Sequence, residues 1–251
     1  MSSLFLWPDF AVYRGKSFAT TRHSHFYAQL VIGLEKKVRM AGRDGVWYEY
    51  DAAWVPSALS HQTEATADGF CILLIDPLTS GISFKLQESQ GGAAGAFELA
   101  PRLGPRACEE ILALTANPLQ DTRDRILGIL RAANDYPGRQ TDPRVLASIE
   151  AMLGKDPAAS LPELARQRGI SPSRFRHLFR EETGITFSGY RLWLKMRGAV
   201  LELAKDTDLG RAALNGGFAD QSHFNRIVRR SFGFTPTWFV QSGLQVKTFL
   251  A

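Results

Sequence analysis

Two stretches of similar sequence decide the fold: LPELARQRGISPSRFRHLFREETG at residues 161–184 and LGRAALNGGFADQSHFNRIVRRSFG at residues 209–233. In each stretch an Ala is followed four residues later by a Gly, Ala165 by Gly169 and Ala213 by Gly217. A small Ala lets two helices approach closely, and Gly supplies the positive φ that a tight turn between helices requires. Two copies of this pattern, each leading into an Arg-rich segment, predict two helix-turn-helix units.

The second helix of each unit should turn a polar, basic face toward DNA. The first such helix is predicted to begin after Ser171 as N-cap, with Pro172 at its first position, and the second to begin after Asp220. Arg can bond guanine O6 and N7 in the major groove, and Gln or Asn can bond adenine N6 and N7. We predict DNA contacts from Ser173, Arg174, Arg176, His177 and Arg180 in the first unit and from Gln221, Ser222, His223, Asn225, Arg226 and Arg229 in the second.

A long connecting helix is predicted from about Phe187 to Lys205. Its roughly 18 residues would span about 27 Å at 1.5 Å per residue. That length would hold the two recognition helices about one DNA turn apart, roughly 34 Å, so that both could enter adjacent major grooves.

The net positive charge of the chain comes from the same part of the sequence. Residues 141–251 hold 16 Lys and Arg against 10 Asp and Glu, a net charge of +6, whereas residues 1–140 hold 14 against 15. This asymmetry is typical of a phosphate-binding half joined to a neutral half.

The C-terminal pattern resembles the AraC/XylS family of bacterial transcription regulators over roughly residues 143–239. The resemblance rests on Ala165, Gly169, Ser171, Leu178, Phe179, Gly184, Lys195 and Ala199, and on the segments GFADQSHFNR (217–226) and FGFTPTWF (232–239). It implies binding to promoter DNA as a partner and, usually, activation through RNA polymerase. Ala212, Gly216 and Val240 depart from the residues usual in the family, so we expect a looser second unit.

The first 100 residues have the pattern of an antiparallel β structure. Short β-branched and aromatic runs alternate with turn signals such as Asp44-Gly45 and Asp68-Gly69. The predicted strands lie at 27–34, 36–41, 46–50, 52–55, 70–76 and 82–87. His23-Ser24-His25 with Gln29 and Gly33, and the later segment PSALSH (56–61), resemble the two short motifs of the cupin barrel.

The predicted fold is therefore a two-domain α+β architecture. Residues 1–100 would form a cupin-like antiparallel β-barrel that acts as a sensor. Residues 101–138 would form a helical dimerisation and linker region with amphipathic helices at 104–116 and 121–134, and would make the chain a homodimer. Residues 139–251 would form an all-α DNA-binding domain.

Three histidines are candidate ligands for a metal ion. In metal-binding cupins, as the resemblance implies, a His-x-His pair, a Glu and a distal His form the site. Here Gln29 stands where the Glu would be and Ala58 replaces a Gly. We expect His23, His25 and His61 to hydrogen-bond around the barrel mouth, with no metal and no cofactor. The alternative is a divalent ion such as zinc, and with it a metal-dependent cupin enzyme fused to a DNA-binding domain.

A small-molecule effector is expected in the N-terminal domain, within a barrel interior lined by residues such as Tyr27, Trp47, Tyr48 and Trp54. A second possibility is a cyclic dinucleotide, because Arg39 and Arg43 have the Arg-x-x-x-Arg spacing of PilZ-type cyclic di-GMP sites. Arg102 and Arg106 repeat that spacing. The effector-binding candidates are Arg39, Arg43, His23, His25, His61 and Trp47.

The sequence contains none of the common motifs that would indicate another function. The chain contains no phosphate-binding Gly-Lys loop, Gly-x-Ser-x-Gly elbow, His-Glu-x-x-His or Cys-x-x-Cys motif, so we do not expect an enzyme. It has no run of 18 apolar residues and no signal-peptide pattern at its start, and its two cysteines are expected to be reduced thiols. The predicted protein is a cytoplasmic, effector-responsive transcription activator.

Overall fold

The computed structural model describes residues 2–65, 68–80, 103–133, 141–154 and 158–249. The strand predicted at 82–87, together with Arg102 and Asn134, lies outside the described residues. The predicted two-domain α+β architecture, with a β-rich N-terminal region and a helical C-terminal domain, is confirmed.

In the part of the N-terminal region that the structure describes, the strands form two sheets. Its strands are β1 (Ser3–Leu6), β2 (Phe10–Lys16), β3 (Ala28–Gly33), β4 (Val38–Ala41), β5 (Trp47–Tyr50), β6 (Ala52–Val55), β7 (Gln62–Thr63) and β8 (Gly69–Ile75). A six-stranded sheet has the order β6-β3-β8-β2-β1-β9, where β9 is Gln245–Thr248, and a three-stranded sheet has the order β5-β4-β7. Strands β1 and β2, which were not predicted from the sequence, pair antiparallel across a short turn.

Both faces of the six-stranded sheet are covered. Side chains alternate between the faces of a strand, so Leu30 enters one hydrophobic core and Val31 the other. This double burial explains the nearly unbroken apolar sequence of β3 and β8. One core lies under the helices that follow the sheet, and the other includes the three-stranded sheet and side chains of the C-terminal domain.

A short helix α1 (Pro77–Ser80) is followed by the two predicted amphipathic helices, α2 (Pro105–Ala116) and α3 (Thr122–Ala132). Their apolar residues Ile111, Ile126, Leu127 and Leu130 are buried against the six-stranded sheet. The apolar faces of α2 and α3, on which the predicted dimer contact was based, are therefore covered by the sheet of the same chain. A homodimer remains a prediction, but these faces no longer support it.

The C-terminal domain contains seven helices among the described residues. They are α4 (Pro143–Leu153), α5 (Leu161–Gln167), α6 (Pro172–Thr183), α7 (Phe187–Lys205), α8 (Leu209–Asn215), α9 (Gln221–Phe232) and α10 (Pro236–Gln241). The helix starts follow local sequence closely. Ser160 and Glu163, for example, form a reciprocal capping box before α5.

The chain is not helical to its end, although an all-α domain was predicted from residue 139 onward. Strand β9 pairs in parallel with β1 and extends the N-terminal sheet. Phe249, which follows β9, stacks on Trp7 with ring centroids 4.5 Å apart. The last strand of the predicted DNA-binding domain, residues 139–251, therefore belongs to the sheet of the other half of the chain.

Small residues let α8 lie directly against α7. A Cβ atom added at Gly216 would fall 2.6 Å from the Cβ of Ala199 and 2.9 Å from the carbonyl oxygen of Lys195. Ala212 is also buried. These residues, expected to loosen the second unit, instead remove the atoms that would hold α8 away from α7.

We predict that Gly216→Ala lowers the free energy of unfolding by about 1–3 kcal/mol, because the added methyl group overpacks the contact between α7 and α8. Urea unfolding of the two proteins measures the change.

Gly198→Ala is the matched control. It lies on the same pair of helices, but its added Cβ would meet the Cα of Gly216 at 3.8 Å, an ordinary contact. It should leave stability unchanged or raise it by about 0.5–1 kcal/mol, as Ala does in helices. Equal effects of the two substitutions would contradict the close approach of α8.

Candidate DNA-binding surface, interdomain cavity and histidine cluster

Helix α6 has the features expected of a recognition helix. The Ser171 hydroxyl accepts a hydrogen bond from the backbone N–H of Arg174 at 3.2 Å, and Pro172 occupies the first turn, as predicted. Phe175, Leu178 and Phe179 are buried. The predicted DNA-contacting residues of this helix are all exposed: Ser173, Arg174, Arg176, His177 and Arg180.

Helix α9 is capped in the same way, since Asp220 accepts a hydrogen bond from the backbone N–H of His223 at 2.7 Å. Of its predicted DNA-contacting residues, four are exposed: Gln221, Ser222, Arg226 and Arg229. The other two, His223 and Asn225, are half-buried. The His223 ring packs edge-on against Phe218, and Asn225 Oδ1 is buried without a hydrogen-bond partner among the described residues. These two side chains are less available to bases than the sequence suggested.

The turns of the two units have the same geometry. Gly169 and Gly217 have φ values of 67° and 80°, as the repeated Ala-to-Gly spacing predicted. The residue after each Gly donates its backbone N–H to the Ala carbonyl, Ile170 to Ala165 at 3.1 Å and Phe218 to Ala213 at 2.9 Å. The second turn is also held from α7, where Lys195 Nζ donates to the Gly217 carbonyl at 2.8 Å.

Aromatic contacts join the two halves of the chain. The rings of Tyr27 and Trp193 pack edge to face with centroids 4.1 Å apart, which joins the start of β3 to α7. Phe18 contacts Trp238 of α10 at 4.5 Å. In each pair the two rings come from segments far apart in sequence, so both contacts depend on the tertiary fold.

A cavity of about 140 Å³ lies between the halves. Its walls include Tyr13 of β2, Tyr27 just before β3, and Phe224 and Val228 from the buried face of α9. Arg197 of α7 is the one permanently charged side chain among the described residues that line it. A molecule in this cavity would touch the N-terminal half and the back of the second recognition helix together.

The three predicted histidines form a buried cluster with Gln29 beside it. His23 and His61 exchange two backbone hydrogen bonds of 2.9 Å each, so the two segments form a small antiparallel bridge. The ring centroids of the three histidines are separated by 4.2, 5.1 and 5.6 Å. One ring nitrogen of each lies within 4.8 Å of one nitrogen of the other two.

The proton positions on these rings follow from their backbone partners. Nδ1 of His23, His25 and His61 lies 2.8, 2.9 and 2.9 Å from the carbonyl oxygens of Thr21, Tyr27 and Leu59. Carbonyl oxygens only accept, so each Nδ1 carries the hydrogen and each Nε2 carries a lone pair.

Burial keeps the cluster uncharged. Burial, together with the neighbouring His25, lowers the pKa of His23 to about 3. Burial also lowers the pKa of His25 and of His61. The histidines hydrogen-bond to backbone carbonyls, and they also present three neutral imidazoles to one another, which is the form that binds metal ions.

The cluster touches the C-terminal end of α9. Thr21 donates from its backbone N–H and its hydroxyl to the Gly233 carbonyl, at 3.0 and 3.2 Å. The ring of His25 stacks on Phe232 with centroids 5.7 Å apart. A Cβ atom at Gly233 would lie 2.5 Å from the Thr21 carbonyl oxygen and 2.8 Å from His23 Nδ1, so the helix end packs directly on this segment.

The C-terminal half matches a family model described as a helix-turn-helix domain over residues 164–242. The transcriptional regulator NimR of Escherichia coli is 22% identical over 236 residues, which cover 87% of this chain and 81% of NimR. The arabinose operon regulatory protein of Escherichia coli is 31% identical over 80 residues, which cover 32% of this chain and 27% of that protein. These matches identify residues 164–242 as a helix-turn-helix domain like those of AraC-type transcription regulators.

The family resemblance extends to the fold of the whole chain. The structure of an apo form of ToxT from Vibrio cholerae, a single-substitution variant, superposes with a TM-score of 0.61 at 11% identity, covering 93% of this chain and 97% of that chain. A ToxT structure with bound unsaturated fatty acid superposes with a TM-score of 0.53 at 12% identity, covering 92% and 95%. This chain therefore has the two-domain fold of ToxT. Among its described residues, no helix is both long and apolar enough to cross a membrane.

Several effector candidates lie away from both the cavity and the cluster. Trp47 and Tyr48 are each 36% exposed on β5, so the expectation that they line the barrel interior is wrong. Trp54 is buried in the core under α2 and α3. Arg39 is paired with Glu64 and Glu49, and Arg43 is exposed in the next turn.

Arg197, Thr21 and Phe232 were not predicted as functional from the sequence. Each owes its position to the packing of one half of the chain on the other, and no local motif marks that packing. Arg197 could have been noticed as a charge near the apolar face of the predicted connecting helix.

The loop that carries His61 contains a strained residue. Ala58 has a φ of 63° and is the one non-glycine residue with positive φ in the part of the chain that the structure describes. Its backbone N–H donates to the His25 carbonyl at 2.8 Å, which fixes the loop beside the cluster.

We predict that Ala58→Gly raises the free energy of unfolding by about 0.5–1 kcal/mol. The relief of left-handed strain, about 1–2 kcal/mol, exceeds the entropy gained by the unfolded chain. Urea unfolding measures the change. Ala113→Gly on the exposed side of α2 is the matched control, where the same substitution should cost about 1 kcal/mol. A loss at both positions would contradict the role given to the Ala58 backbone.

Proposed function

We propose that this regulator binds duplex promoter DNA through α6 and α9, responds to a small apolar acid between its two halves, and activates transcription by contacting RNA polymerase. The observation that carries the DNA-binding part is the pair of exposed basic helix faces on units with equivalent turns. Activation through RNA polymerase is what the family resemblance implies.

Helix α7 sets the spacing of the two recognition helices. It has 19 residues, or about 28 Å at 1.5 Å per residue. One turn of B-DNA is roughly 34 Å, so the two helices can enter successive major grooves on one side of the duplex. A single chain thus supplies two half-site readers.

We expect Arg176→Ala to weaken binding to a cognate duplex by about 1–3 kcal/mol, or roughly 5- to 150-fold, if Arg176 reads a guanine through two hydrogen bonds. The cognate duplex is first selected from random-sequence DNA by the wild-type chain. Fluorescence anisotropy at several salt concentrations then gives the affinity and its salt dependence.

Arg125→Ala, an exposed arginine on α3, removes the same charge far from the recognition helices. It should leave the affinity and the salt slope nearly unchanged. Equal weakening by the two substitutions would indicate only a general electrostatic effect. Failure of the wild-type chain to enrich any sequence would refute specific DNA binding.

The chemistry of the cavity supports an apolar acid as effector. Aromatic and aliphatic side chains supply most of its walls, and Arg197 can pair with one carboxylate. Its volume of about 140 Å³ is similar to that of an engineered cavity of about 150 Å³ that binds benzene. The ToxT structure with a bound fatty acid supports the same class of ligand. We therefore propose a carboxylic acid with one ring or a short chain.

Such a ligand would act through its contacts with α7 and α9. Trp193 and Arg197 of α7 and Phe224 of α9 line one side of the cavity, while Tyr27 lines the other. A ligand can shift the DNA-binding equilibrium only by the difference between its affinities for the two arrangements of the halves. The buried face of α9 is where that difference would reach the recognition helix.

We expect Arg197→Met to weaken binding of a phenylalkanoic acid about 10- to 100-fold, because a charge-assisted hydrogen bond contributes about 1.5–3 kcal/mol. Calorimetry with a series of such acids measures the change, after a thermal-shift screen selects the tightest. The matching neutral amide is the control ligand and should bind the two proteins equally. An acid that binds wild type no better than its amide would overturn the proposed role of Arg197.

The same screen tests the alternative effector. Cyclic di-GMP would have to displace Glu64 and Glu49 from Arg39, so the geometry gives it less support. We also propose that the chain has no catalytic activity, in keeping with relatives that are regulators. The homodimer remains a prediction.

A further inference from the structure

We propose that Asp76 of the N-terminal half and the carboxylate of an effector compete for Arg197 of α7. In the ligand-free protein the Asp76 carboxylate balances the charge of Arg197 across the boundary between the halves, and an acid in the cavity takes its place. This inference rests on the proposed function for the class of ligand, whereas the charge pair can be tested without any ligand.

The register of the large sheet places Asp76 opposite α7. The last paired residues of β3 and β8 are Ala28 and Ile75, so Tyr27 and Asp76 follow directly on that pair. Ala28 and Ile75 enter the core under α2 and α3, and the next side chains alternate to the other face of the sheet. The ring of Tyr27 does so, because it packs on Trp193 of α7. The buried Asp76 side chain, which is 3% exposed, lies beside it.

Arg197 lies on the face of α7 that meets this part of the sheet. It follows Tyr190 by seven residues and Trp193 by four, which places the three side chains on one side of the helix. Tyr190 and Trp193 are buried, and Arg197 lines the cavity. Asp76 and Arg197 therefore approach the same place from the two halves of the chain.

The two tyrosines between these elements respond to both charges. Burial and the charge of Asp76 raise the pKa of Tyr190, against an opposite effect of Arg197. Burial and then Asp76 also raise the pKa of Tyr27 well above its usual value, again against Arg197. The Tyr190 hydroxyl is buried and has no hydrogen-bond partner among the described residues. The polar groups around the two charges are thus not all satisfied in the ligand-free protein.

Two carboxylates cannot both be compensated well by one guanidinium group at this position. A buried carboxylate is stable only when hydrogen bonds or an opposite charge replace its lost water. Asp76 accepts one hydrogen bond of 2.8 Å from the backbone N–H of Leu78, and Arg197 supplies positive charge. A ligand carboxylate beside Arg197 would repel that of Asp76, because like charges in a site with little water disfavour each other.

The exchange would change what joins the two halves. Without ligand, the attraction between Asp76 and Arg197 links the end of β8 directly to α7. With an acid bound, Arg197 pairs with the ligand, and the link runs through the molecule in the cavity instead. An effector can shift the arrangement of the halves only through such a difference in contacts.

Asp76→Asn measures the competition. The amide keeps an oxygen that can accept from the Leu78 N–H but removes the charge. We expect calorimetry to show that the phenylalkanoic acid selected on wild type binds this variant about tenfold more tightly or better, because a repelling charge is gone. Binding of the matching neutral amide should not change.

Asp44→Asn is the matched control for that substitution. Asp44 is exposed in the turn between β4 and β5, and its Oδ1 accepts a hydrogen bond of 3.1 Å from the backbone N–H of Val46, as Asp76 does from Leu78. Its replacement should leave the affinity for the acid unchanged. Unchanged or weaker binding of the acid by Asp76→Asn would overturn the competition.

The charge pair is tested separately by thermal unfolding of Asp76→Asn, Arg197→Met and the double variant without ligand. The unfolding temperature of the double variant should fall by less than the sum of the two single shifts, because each single substitution leaves the other charge uncompensated. Additive shifts would overturn the pair, whether or not an acid binds. Non-additive shifts in a protein that binds no acid would support the pair and count against the proposed effector.

The effect on DNA binding has its own measurement. Without acid, Asp76→Asn should shift the affinity for the selected duplex in the direction in which saturating acid shifts that of wild type, by about fivefold or more. Acid should then change the variant less than it changes wild type. A variant that binds DNA as ligand-free wild type does would overturn the regulatory role of the exchange and leave the competition intact. Absence of DNA binding by wild type would instead count against the proposed function.

Discussion

The burial of α7 on several sides is the constraint on which the rest of the structure depends. Phe187 at its start packs on Phe179 of the first recognition helix, and Ala199 near its end meets Gly216 of the second unit. Between them, Trp193 packs on Tyr27, which precedes β3 of the N-terminal sheet. One helix thus sets the distance between the DNA readers and also carries their contact with the other half. A shift of α7 would move all three contacts together, because close-packed side chains transmit displacement.

Helix α9 is held at three places by groups from elsewhere in the chain. Lys195 fixes the turn before it, the cavity lies behind its middle, and Thr21 and His25 contact its end. Helix α6, in contrast, packs on α4, α5 and α7 within its own domain. The two readers are therefore built on similar turns but have different surroundings. The proposed acid would act on the second reader, while the first keeps a constant position.

The features that sequence could predict are those set by neighbouring residues. The caps Ser171 and Asp220, the glycines of the turns and the bounds of α7 all follow from local hydrogen bonds and backbone sterics, and all were predicted. The cavity, the pairing of β9 and the contact between Thr21 and Gly233 join segments more than 150 residues apart. No periodic pattern in the sequence of either segment indicates that the two will meet. Trp47 shows a related limit of prediction from sequence. Aromatic residues in a strand suggest burial, yet which face of β5 is covered depends on how the small sheet sits on the large one. The histidine spacing was visible, but the convergence of the nitrogens required the backbone bridge between His23 and His61.

The pairing of β9 with β1 also decides how the two halves can move. A body joined to another by a single flexible segment can turn about any axis. The DNA-binding half is joined to the N-terminal half by the chain between residues 133 and 141 and also by the ladder that runs from Ser3–Gln245 to Leu6–Thr248. A second attachment removes rotations that a single one would allow. Any rearrangement of the recognition helices relative to the N-terminal half is therefore restricted for as long as this ladder remains intact, and a fragment that begins near residue 141 would lack that restriction.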